Sequence, residues 1–156
     1  MSVATRLFWT VLICGVLLDR AVKWAEVAGM SVGQSVEAIP SILNFTYVQN
    51  RGVGFGLFQG ITWLPILINL LVFATVAWMF YRWRPVPTLV AIGSGLLCAG
   101  ALSNLIDRLF FGHVVDIFEL AFIRYPVFNV ADSLITVGCI ILVFWLLFKS
   151  GSILER

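Results

Sequence analysis

Four apolar stretches, each close to the length that spans a bilayer, leave this chain few folds to choose from. A helix needs about 20 residues to cross the hydrocarbon core, and the runs at 7–25, 61–81, 87–106 and 128–148 all approach that length. Backbone groups in lipid have no water to bind, so each run must satisfy its own hydrogen bonds as a helix. The second run is the cleanest, with no charge from Leu64 to Phe80. The first has a competing reading. Arg6 followed by Leu7–Leu18 has the form of a signal peptide, and Trp24-Ala25-Glu26-Val27-Ala28 imitates a cleavage region. A retained span is favoured, interrupted late by Asp19, Arg20 and Lys23, where Asp19 and Lys23 face each other at i and i+4.

Composition supports one polytopic membrane domain over residues 1–156. At 61% hydrophobic, 12% charged and a mean hydropathy of +1.03, the chain departs from soluble domains, which carry about 25% charged residues. A net charge of +2 with no basic run excludes a nucleic-acid surface. Cys14, Cys98 and Cys139 sit in apolar stretches without CxxC spacing, and there is one histidine. No metal site, cofactor or disulfide framework is therefore expected, and the thiols read as buried and inert.

The fold class expected is an all-α membrane protein of four transmembrane helices with a small extracytoplasmic β-rich segment. That segment is the strand-forming Ile42–Asn50 and the glycine-bearing Arg51-Gly52-Val53-Gly54-Phe55-Gly56, which predict one or two strands and a tight turn. The connection Val114–Phe122 predicts a short interfacial helix or loop. Arg82 and Arg84 occupy a very short turn and Arg6 precedes the first run, so the positive-inside rule puts both termini in the cytoplasm.

On that arrangement Asp107, Asp116 and Asp132, three of only eight acidic residues, gather at the outer boundary. A carboxylate there costs on the order of 3 kcal/mol even on lenient scales, so the cluster reads as a functional site. Short connections make sequential helices neighbours, bringing the outer ends that carry Asp107 and Asp132 together, with Asp116 on the connection above them. Asn104, Asp107 and Arg108 share one helical face, as do Asn129 and Asp132. Two close carboxylates cannot both ionise. One keeps a proton while the other activates water, which hydrolyses amides without metal or nucleophilic side chain.

Blander readings compete. Asn129-x-x-Asp132 has the form of a capping box, Asp107-Arg108 that of an interfacial ion pair, and the glycines that of a hairpin turn, since GxGxxG spacing is absent. A serine–lysine dyad would need Lys23 and lacks a serine in a partner context. A serine–histidine protease would need His113, with Gly93-Ser94-Gly95 several turns deeper. A small transporter using a carboxylate relay would place its acids near mid-membrane rather than at one boundary.

Five motifs in order resemble the lipoprotein signal peptidases (signal peptidase II), membrane aspartic peptidases of bacterial lipoprotein maturation. They are Leu18-Asp19-x-x-x-Lys23, Asn50-x-Gly52-x-Gly54-Phe55-Gly56, Gly100-Ala101-Leu102-Ser103-Asn104-Leu105-Ile106-Asp107-Arg108, Gly112-x-Val114-Val115-Asp116 and Phe128-Asn129-x-Ala131-Asp132. The resemblance covers nearly the full length. It implies that Asp116 and Asp132 are the catalytic dyad, and that Asn50, Gly52, Arg108 and Asn129 position substrate or dyad. Asn104 and Asp107 would support them, and Asp19 and Lys23 would hold the first helix. Ser103 and Gly54 depart from the glycine and alanine more frequent in that family. The resemblance further implies a monomer of the bacterial cytoplasmic membrane with its site at the outer face and no cofactor. Its substrate would be a prolipoprotein with a diacylglyceryl cysteine, cleaved on the amino side of that cysteine, and globomycin-type lipopeptides would inhibit it.

Overall fold

The computed structural model describes residues 1–52 and 63–149. In chain order they form α1 (Val3–Gly29), β1 (Ser35–Ile39), β2 (Leu43–Asn50), α2 (Trp63–Arg82), α3 (Thr88–Phe111), β3 (Val114–Leu120) and α4 (Val130–Lys149). Among the described residues, α2, α3 and α4 are long and apolar enough to cross a membrane. Outward-facing Leu70, Leu71, Val143, Phe144 and Leu147 of α2 and α4 form a greasy exterior that only lipid suits.

Helix α3 is the central element, packed along both α1 and α4 and less closely along α2. Small residues permit this. A Cβ on Gly100 would collide with the Ala131 carbonyl oxygen, and one on Gly138 would stand 2.7 Å from the Gly93 carbonyl oxygen. Glycine at these contacts lets the α3 and α4 backbones approach closely. Between the helices, Leu12, Val76 and Cys98 make one apolar cluster, and Met79, Val90, Leu142 and Trp145 another near the α2–α3 turn.

The sequence expectation of a helix or loop at Val114–Phe122 is overturned: Val114–Leu120 is a strand. It completes an antiparallel sheet in the order β1-β2-β3. Val114, Val115, Ile117 and Phe118 are β-branched or aromatic, which suits a pleated surface, and β2 offers an unpaired edge for their backbone groups. Tyr47, Val115 and Ile117 seal the sheet against Val22 and Met30 of the α1 end. Two boundaries also move. Helix α1 runs from Val3 to Gly29, beyond the expected 7–25, and α3 continues to Phe111, so Asp107 and Arg108 lie within it. Gly112, at φ 72°, then ends α3 in the left-handed region, its N–H bonded to the Arg108 carbonyl. The thiols differ from expectation too: Cys98 is buried, but Cys14 and Cys139 are exposed on their helices.

Candidate active site

Each residue of the site is aimed by the element that carries it. The β2–β3 register sets Asp116 opposite Val48 and Val114 opposite Asn50. Asn50 is therefore the diagonal neighbour of Asp116 on one face, and its Nδ2 donates to Asp116 Oδ2 at 2.9 Å. The Asn50 oxygen is already engaged, accepting from the Gly52 N–H at 2.9 Å. An amide whose oxygen is held by an N–H can only present its NH2 elsewhere.

The same logic operates twice more. Asn129, fully buried before α4, accepts the Asp132 N–H on Oδ1 at 2.9 Å, while its own N–H donates to Asp132 Oδ2 at 3.3 Å. This is the reciprocal capping box anticipated from the sequence. It leaves Asn129 Nδ2 directed at Asp116 Oδ1, 2.7 Å away, with the Val115 carbonyl and Asn104 Oδ1 at 3.3 Å. The capping reading and the site reading are therefore compatible. Asn104 accepts from Lys23 Nζ on Oδ1 at 3.2 Å and donates through Nδ2 to Asp132 Oδ1 at 2.9 Å. All four oxygens of Asp116 and Asp132 thus receive an N–H.

Both aspartates, with Asn50, Asn104 and Arg108, line one cavity of about 300 Å³, bounded further by Tyr125–Phe128 and by Ile135 and Thr136 of α4. Asp116 is 2% exposed. Burial first, and then the negative charge of Asp132, push its carboxyl up to about 7, against the pull of Asn50, Asn129 and Lys23. A buried carboxyl that keeps its proton near neutrality, beside a second carboxylate, is an acid–base pair.

Arg108 does not pair with Asp107, contrary to the ion-pair reading. Adjacent residues on a helix point in different directions. Arg108 turns toward the cavity and donates to the carbonyls of Asn104 (3.2 Å) and Gly52 (3.1 Å), tying the end of β2 to α3. Asp107 turns instead to α1, where Arg20 Nη1 lies at 2.6 Å and Lys23 Nζ at 2.7 Å. Asp19 meets Lys23 at 2.8 Å, the expected i,i+4 pair, and Arg20 at 3.1 Å. Gly54, Phe55 and Gly56 of the second motif lie outside the described residues.

Two members of this inner network escaped the sequence reading, Arg20 and Ser103. Ser103, 0% exposed, donates to Asp19 and accepts from Arg20 Nε at 3.2 Å. The available signal for Arg20 was a third charge within five residues of an otherwise apolar helix.

Residues 11–148 match the family model described as signal peptidase (SPase) II. The chain is 39% identical over 140 residues to the lipoprotein signal peptidase of Clostridium novyi (strain NT), covering 88% of this chain and 95% of that one. It is 43% identical over 136 residues to that of Syntrophomonas wolfei, covering 86% and 89%. Two solved structures, each described as a bacterial membrane enzyme, superpose with TM-scores of 0.86 and 0.82 at 29% and 30% identity. They cover 92% and 90% of this chain and 89% and 92% of theirs.

Proposed function

Because this chain belongs to the signal peptidase II family, we propose that it cleaves prolipoproteins on the amino side of a diacylglyceryl-modified cysteine, releasing the signal peptide. It is a membrane peptidase. The catalytic groups in this reading are Asp116 and Asp132. The observation that carries it is one cavity lined by both carboxylates, every oxygen of which is held by an N–H. Such a pair supplies a base to take a proton from water and an acid to protonate the carbonyl oxygen. Asn50, Gly52, Arg108 and Asn129 position the dyad and the peptide. The carboxylate-relay alternative finds no support among relatives that are peptidases.

In the same reading the chain is a single four-span domain of the bacterial cytoplasmic membrane, with α1 as the fourth span. Its 27 residues exceed the length needed for a roughly 30 Å core. Its charges Asp19, Arg20 and Lys23 turn inward and, together with Asp107 of α3, balance one another, while Trp9, Ile13, Leu17 and Leu18 face outward. Arg6, Arg82 and Arg84 mark the cytoplasmic end, so the cavity opens at the outer face. An enzyme at that depth can take a bond flanked by a signal helix and two acyl chains. The test is to incubate the purified protein with a diacylglyceryl-modified prolipoprotein and measure released signal peptide. No release with the intact protein, in a preparation shown to be folded, would overturn the assignment.

A further inference from the structure

The charges behind the cavity have a geometry that gives them a task in the reaction. Lys23, 2% exposed, reaches from α1 to three acceptors: Asp19 Oδ2 at 2.8 Å, Asp107 Oδ2 at 2.7 Å and Asn104 Oδ1 at 3.2 Å. An asparagine amide has nearly the same shape in either orientation, so its neighbours decide which end goes where. An ammonium offers donors only. Asn104 must give it the oxygen and so points Nδ2 at Asp132. Asn129 Nδ2 also reaches that oxygen at 3.3 Å, but its shortest bond, 2.7 Å, goes to Asp116. The cation is therefore the stronger hold on Asn104.

Resting on the assignment of Asp116 and Asp132 as the catalytic pair, we propose that Lys23 is a positioning residue that, through Asn104, keeps Asp132 as the ionised, water-activating member and leaves the shared proton on Asp116. Were Asn104 to turn, its oxygen would face Asp132 and demand a proton there. Other features favour the same polarity. Asp132 stands in the first turn of α4, where the helix dipole and the fixed Asn129 N–H suit an anion. Asp116 lies on a strand without that field.

Arg20 and Ser103 keep Lys23 in place. Arg20 binds Asp107 and Asp19 from the other side, so two cations and two anions alternate in a ring, braced by Ser103. The ring is neutral as a whole, which makes its leverage on Asp132 directional more than a matter of net charge. The charged groups around the pair are Asp19, Arg20 and Lys23 from α1, Asp107 and Arg108 from α3, and the two aspartates themselves from β3 and α4. Tyr125 lies at the cavity wall.

Asp132 takes a proton from water as the water oxygen bonds to the scissile carbonyl carbon, and Asp116 gives its proton to the carbonyl oxygen. On collapse the C–N bond breaks, Asp132 returns its proton to the leaving nitrogen, and one hydroxyl of the intermediate returns a proton to Asp116. Both residues end as they began.

The experiment measures kcat and KM per folded molecule against pH, using the full chain and a diacylglyceryl-modified prolipoprotein. Variants are Lys23→Met, Asn104→Leu, their combination, and the charge-balanced Asp19→Asn/Lys23→Met. The acidic limb reports the ionised member of the pair. In Lys23→Met it is expected to move up by about one pH unit, with kcat below that limb falling about tenfold and KM within about twofold. Asn104→Leu should already show most of the shift, and adding Lys23→Met should do less there than in the wild-type background, the remainder being the direct pull of its charge on the pair. An unchanged limb in Lys23→Met, with only folding yield or thermal midpoint reduced, would mean a purely structural lysine and overturn the proposal. So would a double variant whose loss equals the product of the single losses. If Lys23→Met fails to fold, the charge-balanced variant carries the same expectation. If that fails also, an unchanged limb in Asn104→Leu is decisive against. Failure of the dyad assignment itself looks different: turnover by Asp116→Asn or Asp132→Asn.

Discussion

Replacing Asn129 by serine and by alanine separates two tasks that one side chain performs. As the cap of α4 its oxygen receives the Asp132 N–H at 2.9 Å, and as a site residue its Nδ2 donates to Asp116 at 2.7 Å. Serine keeps a capping oxygen, but its shorter side chain cannot also send a donor to Asp116. Alanine loses both. Loss of a cap costs about 0.5–2 kcal/mol, and a buried orphaned N–H about 1–3 kcal/mol. Asn129→Ala should therefore be less stable than Asn129→Ser by roughly 1–2 kcal/mol. A hydrogen bond to a carboxylate contributes about 1.5–3 kcal/mol. Expressed in the transition state, its loss lowers kcat about 10- to 150-fold in both variants. Signal-peptide release from a lipidated precursor reads the fall in kcat, and the thermal midpoint in detergent reads the difference in stability. Wild-type kcat in folded Asn129→Ser would show that the amide does nothing for Asp116, and the reasoning from hydrogen-bond polarity would fail with it.

Asp116→Asn and Asp132→Asn should each abolish release while leaving the protein folded, since an amide cannot exchange the proton; turnover by either in a clean preparation removes that residue from the dyad. Asp116→Asn should also change the pH dependence of stability. Between the ordinary carboxyl value of 3.8 and about 7, folded Asp116 holds a proton that the unfolded chain has lost. Its contribution therefore falls as pH rises through that window, and the variant's thermal midpoint should gain on wild type from pH 5 to pH 8. A constant difference would contradict the raised carboxyl. Gly100→Ala, which forces a methyl against the Ala131 carbonyl oxygen, should cost about 1–3 kcal/mol and lower kcat by displacing the α4 start; an unchanged midpoint would show that α3 and α4 separate freely. The unlipidated precursor should be a very poor substrate, because each buried methylene of the diacylglyceryl group contributes roughly 0.8 kcal/mol. Globomycin should block release more effectively than pepstatin-like inhibitors. Equal cleavage rates with and without the lipid would sink the lipid-anchored part of the reading.

The sequence alone determined those features whose cause lies within a few residues. Apolar runs of bilayer length dictated helices because lipid offers the backbone no other partner. The capping box of Asn129 and Asp132 and the pair of Asp19 and Lys23 were legible because both halves fall within one helical turn. The ordered motifs carried the family resemblance and named the residues that surround the cavity. Tertiary structure decided the rest. Asp107 left its neighbour Arg108 for Arg20 and Lys23, some 84 positions away for the lysine, because the rotation of α3 against α1 sets which face meets which charge. Val114–Leu120 became a strand because the free edge of β2 lay beside it. Cys14 and Cys139 came to face outward while Cys98 turned inward, since an apolar helix shows no polar side to mark its orientation. The amide directions of Asn50, Asn104 and Asn129 depend on which donor reaches each oxygen, and for Asn104 that donor is a lysine from another helix, brought there only by packing.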